Sequence, residues 1–217
     1  MAMRFLAKIG LILLLIFGSF YMAAPEVQAQ SMDLPEADSL IDKGLDTKSL
    51  DQKSIRQQCL STVGTNGLHI CKSVLIEDRD DSEVWNRLGR LFFDLEKYNE
   101  AYLSFMYATH LRADYAIAWA NMCAALSQLQ SYEKALNACD ASLKVSLLAQ
   151  GSIDEKVLAL NNKAIALYLL GRYREALETS EQALVLRPDD SQANINREFM
   201  LHALTHKTTK SEEKSFI

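Results

Sequence analysis

Proline and glycine are scarce in this sequence: three prolines and eight glycines stand among 217 residues. Proline clashes with the preceding helical turn and glycine raises the entropic cost of ordering one, so a chain poor in both can be helical over long stretches. Strand signals are missing too, since no run alternates Val, Ile or Thr with polar residues. No run of Lys or Arg exceeds two residues and the net charge is −5. That argues against the clustered basic face that binding to phosphate backbones requires, so nucleic acid is not an expected partner. A C-x-x-C pair, an H-E-x-x-H helix, a phosphate-cradling Gly loop and a Ser nucleophile elbow are all absent. No cofactor is implied, and the chain reads as no enzyme. Glu96, Glu100, Glu175 and Glu178 fall at exposed helical places and read as solvated faces rather than acid/base pairs. His202 and His206 have i, i+4 spacing but no carboxylate or Cys beside them, so they read as a solvated helix and no metal site is expected.

At the N-terminus, Arg4 and Lys8 precede an apolar stretch, Ile9–Ala24, which Pro25 ends. Val27 and Ala29 are small residues at the −3 and −1 places of a cut before Gln30. Residues 1–29 therefore read as a secretory signal peptide. The alternative is an uncleaved membrane anchor, although about 16 apolar residues fall short of the roughly 20 a bilayer span needs. In either case the positive flank stays in the cytoplasm and the remainder is exported. No Cys follows the apolar run and no Asn-x-Ser/Thr sequon occurs, which fits a periplasm, with or without anchorage to the inner membrane. Membrane contact is expected only through this segment.

Residues 30–50 are polar, contain Pro35 and Gly44, and read as a flexible leader. Beyond them a period appears. Trp85 and Trp119, Tyr98 and Tyr132, and Ala101 and Ala135 are each separated by 34 residues. Tyr173 and Ala176 continue the series after a step of 41, which is the same period plus seven inserted residues. The units are residues 82–115, 116–149 and 157–190, with 150–156 as the insertion. Residues 51–78 read as a shorter, degenerate hairpin around "GTNG" (Gly64–Gly67), residues 191–206 as a capping helix and residues 207–217 as a disordered polar tail.

This period resembles the tetratricopeptide repeat family, whose pattern is W-x2-L-G-x2-Y, then A-x3-F, then P. The first copy carries Trp85, Leu88, Gly89, Phe92, Ala101 and Phe105; the third carries Leu160, Ala164, Leu167, Tyr173, Ala176, Ala183 and Pro188. The second has Cys123 and Cys139 where the family often has a small residue and an aromatic. The resemblance implies an all-α fold: a short right-handed superhelix, or α-solenoid, of antiparallel helix hairpins closed by a C-terminal capping helix. It implies that Gly89 faces Ala101, Cys123 faces Ala135 and Ala164 faces Ala176. Local signals add to this. Gly171 can adopt the left-handed conformation that ends a helix, Ser191 can cap the next, and Ser152 with Glu155 has capping-box spacing that starts a helix at Ile153.

In an antiparallel hairpin, residues equidistant from the turn lie at the same level. Cys59 and Cys71 satisfy this, as do Cys123 and Cys139, so both local disulfides are geometrically feasible in an oxidising compartment. The alternative for Cys123 is a small, reduced core residue.

In the family the first helix of each hairpin lines a concave surface. Asn121, Asn162 and Asn196 share one frame position there, and Asn86 and Asn161 share the one before. An amide offers a donor and an acceptor together, so the row resembles the Asn ladder in the repeat region of O-linked N-acetylglucosamine transferases; local bonding is the competing role. Arg90, Phe93, Gln128, Ile165, Tyr168 and Phe199 are the other candidate binding residues on that face. Chaperone-binding members of the family clamp a C-terminal carboxylate with Lys, Asn and Arg. Here the matching places hold Asn86, Arg90, Ala120, Leu158 and Asn162, leaving Arg90 as the one cation. The expected function is an exported, non-catalytic adaptor that holds a partner protein or extended peptide in the groove. The alternatives are a subunit or chaperone of an envelope assembly (secretion, pilus or cytochrome-maturation machinery) acting through convex or terminal surfaces, and self-association through the terminal helix.

Overall fold

The computed structural model describes residue 40 and residues 51–215, with side chains as far as residue 205. The signal-peptide, leader and polar-tail segments inferred from sequence lie, apart from Leu40 and the backbone to residue 215, outside the described residues. These contain nine α-helices and no strand: α1 (Gln52–Ser61), α2 (Gly64–Glu77), α3 (Ser82–Asp94), α4 (Tyr98–Leu111), α5 (Ala116–Gln128), α6 (Tyr132–Leu148), α7 (Ile153–Leu169), α8 (Tyr173–Leu186) and α9 (Ser191–Ser215). Each helix packs on the next, and α5 also packs on α7 and α7 on α9, so α3, α5, α7 and α9 make one layer and α4, α6 and α8 the other. This is an all-α solenoid. None of the described helices is long and apolar enough to cross a membrane.

The hairpin turns repeat one device. Glu96, Gln130 and Gly171, at the same frame position, have φ of 59°, 58° and 76°. In each case the next N–H reaches back to the helix just ended: Lys97 to Phe92 O, Ser131 to Leu126 O and Arg172 to Leu167 O, all at 2.9 Å. The left-handed residue thus satisfies carbonyls that the helix end would leave open. An aromatic pair closes two of these turns, with Phe93 against Tyr98 and Tyr168 against Tyr173, each with centroids 5.3 Å apart.

Four of the described helices, α1, α3, α7 and α9, are capped from a side chain at their start. Asp81 Oδ1 accepts from the N–H groups of Glu83 and Val84, at 3.0 and 3.1 Å. Ser152 and Glu155 form a full capping box, and α7 begins at Ile153 as their spacing predicts. Ser191 does not cap α9. Asp190 does, accepting from Ala193 N at 2.8 Å, because a carboxylate one residue earlier reaches the free N–H groups and adds favourable charge at the helix N-terminus. "GTNG" is likewise not a loop but the first turn of α2. Gly67 permits a tight crossing, since a Cβ there would stand 2.6 Å from Thr62 O and 3.1 Å from the Leu91 side chain.

The seven inserted residues are absorbed as helix. α6 has 17 residues against 14 in α4 and α8, and α7 has 17 against 13 in α3 and α5. The α6–α7 junction therefore projects about one turn beyond the rest of the solenoid edge. At its tip Leu147 and Leu148 are each 72% exposed and Ile153 52% exposed.

The paired helices also meet at a frame position that the family pattern does not single out. Gly89 accommodates the Phe105 ring: a Cβ there would lie 2.6 Å from two ring carbons. The same frame positions in the next repeat are Cys123 and Cys139, which form a disulfide with Cα atoms 5.3 Å apart. In the third they are Ala164 and Ser180, both fully buried. One close crossing is thus filled three ways. In the first hairpin Cys59 and Cys71 form the second disulfide, with Cα atoms 4.8 Å apart.

Candidate functional site: a groove on the inner helices

The inner layer encloses a groove of about 430 Å³. α3 contributes Arg90, Phe93 and Asp94; α5 contributes Asn121, Ala124, Ser127 and Gln128; α7 contributes Leu158, Asn161, Asn162 and Ile165; α9 contributes Gln192. Phe105 reaches its floor from α4, because Gly89 leaves the ring room to pass. Of the residues singled out from sequence, Arg90, Phe93, Asn121, Gln128, Asn161, Asn162 and Ile165 come together here. Asn86 and Asn196 are buried instead, Tyr168 packs on its turn, and Phe199 stands on α9 outside the groove, 61% exposed. His202 is exposed on α9, and the side chain of His206 is outside the described residues. Gln192 was legible, since it shares its frame position with Leu158. Phe105 was not, because its frame position belongs to the core.

The asparagines have partners inside the protein. Asn121 Nδ2 donates to Asn86 Oδ1 at 2.9 Å, Asn162 Nδ2 to Ala120 O at 2.9 Å and Asn196 Nδ2 to Asn161 O at 3.4 Å. Each bond runs from one inner helix to the frame position before it on the preceding inner helix. The row is therefore a set of staples between repeats. Each amide keeps one further N–H, so Asn121 and Asn162 can still donate to a ligand, but the first hydrogen is committed. Asn161 Nδ2 donates to Asp190 Oδ1 at 2.9 Å, bracing the cap of α9. Asn161 Oδ1 is buried without a partner among the described residues.

The first hairpin and the first repeat are joined by charge. Arg56 of α1 binds Asp81 at 2.5 Å and Glu83 at 2.6 Å, and Glu83 also meets Arg112 at 3.6 Å. The Arg112 guanidinium lies 3.5 Å from the centre of the Tyr115 ring, and Tyr115 Oη accepts from Asn86 Nδ2 at 3.3 Å. Burial alone would raise the Asp81 carboxyl, but hydrogen bonds from Arg56 and from the Val84 and Glu83 N–H groups hold it below the ordinary range. Burial pushes the Tyr115 hydroxyl up, against the opposing pull of Arg112. Arg87 donates to Cys59 O at 3.3 Å and Thr62 O at 2.6 Å, which docks the first hairpin on α3.

A ligand-sized groove on the inner layer of stacked helix hairpins defines an α-helical repeat protein built for recognition. Models of the tetratricopeptide repeat match residues 82–115 and 114–189, and through these residues the chain belongs to the tetratricopeptide repeat family. Solved structures agree on the fold. The MamA RS-1 ArsTM double mutant is similar with a TM-score of 0.56 at 21% identity, covering 76% of this chain and 93% of that one. The first TPR domain of human RPAP3 gives 0.53 at 20% identity, covering 59% and 95%. The first TPR of Spaghetti (RPAP3), bound to the HSP90 peptide SRMEEVD, gives 0.51 at 20% identity, covering 59% and 96%. No curated protein matches the chain by sequence.

Proposed function

We propose that the chain is an exported, non-catalytic adaptor that holds a partner protein or an extended peptide in the groove on its inner helices. The observation that carries this reading is the convergence of Phe93, Leu158 and Ile165 with five side-chain amides and one cation on a single groove of about 430 Å³, within the size range of sites that enclose small ligands or peptide side chains. The Spaghetti domain, which holds a heptapeptide, supports a peptide as the class of ligand. Export is supported by the N-terminal basic and apolar sequence and by two disulfides in the folded domain. Cross-linking in the native host, comparing wild type with Ile165→Arg, tests the groove. The same partner recovered in equal yield with both would refute it, provided circular dichroism shows the variant folded. Intact mass from the host tests export, and a chain beginning at Met1 would sink the cut before Gln30.

One observation favours a second reading, in which the chain is a subunit of an envelope assembly. The projecting α6–α7 tip exposes Leu147, Leu148 and Ile153, side chains that add nothing to the repeat core. If Leu147→Ser with Leu148→Ser loses the partner while Ile165→Arg keeps it, the tip is the contact.

A further inference from the structure

The charges of the groove point to a class of ligand, an inference that rests on the groove being the binding site. Among the described residues that line it, Arg90 is the one cation and Asp94 the one anion. They stand four residues apart on α3, so both project from one face of that helix. Neither enters an ion pair with a described residue. No second cation joins Arg90 among the described residues of the lining: Arg87 keeps its charge within reach of both Arg90 and Asp94 but lies outside the lining, donating to the carbonyls of Cys59 and Thr62, while Arg112 faces Glu83 and Tyr115 and Lys163 binds Asp140 at 2.6 Å.

A carboxylate that entered to meet Arg90 would come within a helical turn of Asp94. Repulsion from Asp94 would then offset part of the attraction to Arg90, while the carboxylate still lost water. An uncharged segment meets no such conflict. Its backbone can use the remaining amide hydrogens of Asn121 and Asn162, and its aliphatic side chains can pack on Phe93, Leu158 and Ile165. We infer that the groove takes an uncharged, aliphatic-bearing segment from the interior of a partner chain, and that Asp94 sets this preference by turning away acidic segments and free C-terminal carboxylates.

The test uses the immobilised full chain and two pools of peptides of about nine residues, acetylated and amidated. One pool is built from Ala, Leu, Val, Ser and Asn, and the other has Glu at a third of its positions; SRMEEVD with a free carboxylate is added to both. Mass spectrometry of the retained peptides at low salt should show the uncharged pool favoured by about threefold to tenfold, the scale of one exposed charge at a helical turn's distance. Asp94→Asn should close that gap and Asp94→Lys invert it, both effects fading in high salt. Wild type that retains the acidic pool or SRMEEVD as well as the uncharged pool overturns the inference. So does an unchanged ratio in Asp94→Asn. Ile165→Arg separates the two levels: if it retains the same peptides as wild type, the groove is not the site and the proposed function fails with it. If it loses them while Asp94→Asn keeps the wild-type ratio, the groove stands and the assignment to Asp94 falls.

Discussion

Gly89 and Phe105 show how one absent methyl group shapes two features. Without a Cβ on α3 the ring settles 2.6 Å from where that atom would be, fills the core and forms part of the groove floor. Gly89→Ala should cost about 1–3 kcal/mol by overpacking, read as a lowered midpoint in urea, and Phe105→Leu in the same chain should recover part of it. The turn position gives a cleaner contrast, because three different residues share one left-handed conformation. Gly171→Ala should destabilise by about 1 kcal/mol, whereas Gln130→Gly, which relieves a side chain at φ 58°, should be neutral or stabilising. If both substitutions destabilise equally, the φ argument is wrong. Asp81 carries the acid sensitivity. Its carboxyl is depressed in the folded state, so its contribution is complete above the unfolded-state value of about 4 and is lost as pH falls through the folded value. Asp81→Asn, which keeps a cap but loses the charge facing Arg56, should cost about 1 kcal/mol at pH 7 and flatten the acid limb of stability against pH. An acid limb identical to that of wild type would shift the role to another carboxylate.

At the scale of elements, the amide staples hold neighbouring inner helices in register. Asn162→Ala should cost about 1 kcal/mol by removing one bond between α5 and α7. The Ala120 carbonyl keeps its place in the α5 helical ladder, so the damage should stay local: hydrogen exchange should quicken in α5 and α7 and leave α1 and α2 unchanged. These elements also show what the sequence could and could not tell. The repeat was legible because Trp, Tyr and Ala recur at fixed spacing, and the start of α7 because a capping box is a local signal. The use of Asn162 was not, because its acceptor lies 42 residues earlier and depends on how one repeat settles on the next. Frame analogy did not foresee the Phe105 ring against Gly89 for a related reason: the contact is set by side-chain bulk, which a position-by-position comparison does not weigh. The insertion was visible as seven extra residues, yet its division between α6 and α7 follows only from the two helix ends.

At the scale of the whole molecule, stability runs from neighbour to neighbour along the solenoid. The N-terminal end is held by Arg56 and Arg87, and the other by α9, which buries Ala193, Asn196 and Met200 against the third repeat and exposes Glu198. Both disulfides act within a hairpin, neither between hairpins. That placement has a mechanical consequence. Stretched by its two ends, the chain can release one repeat after another, since no disulfide joins one hairpin to the next, but the segments Cys59–Cys71 and Cys123–Cys139 cannot pay out. Those loops span 12 and 16 residues, so at about 3.4 Å per residue the oxidised chain should reach a contour length roughly 85 Å shorter than the reduced chain. In an optical trap this shortfall should appear in two steps as a reductant is added. It would make the protein a tether of fixed, redox-dependent reach between whatever holds its two ends.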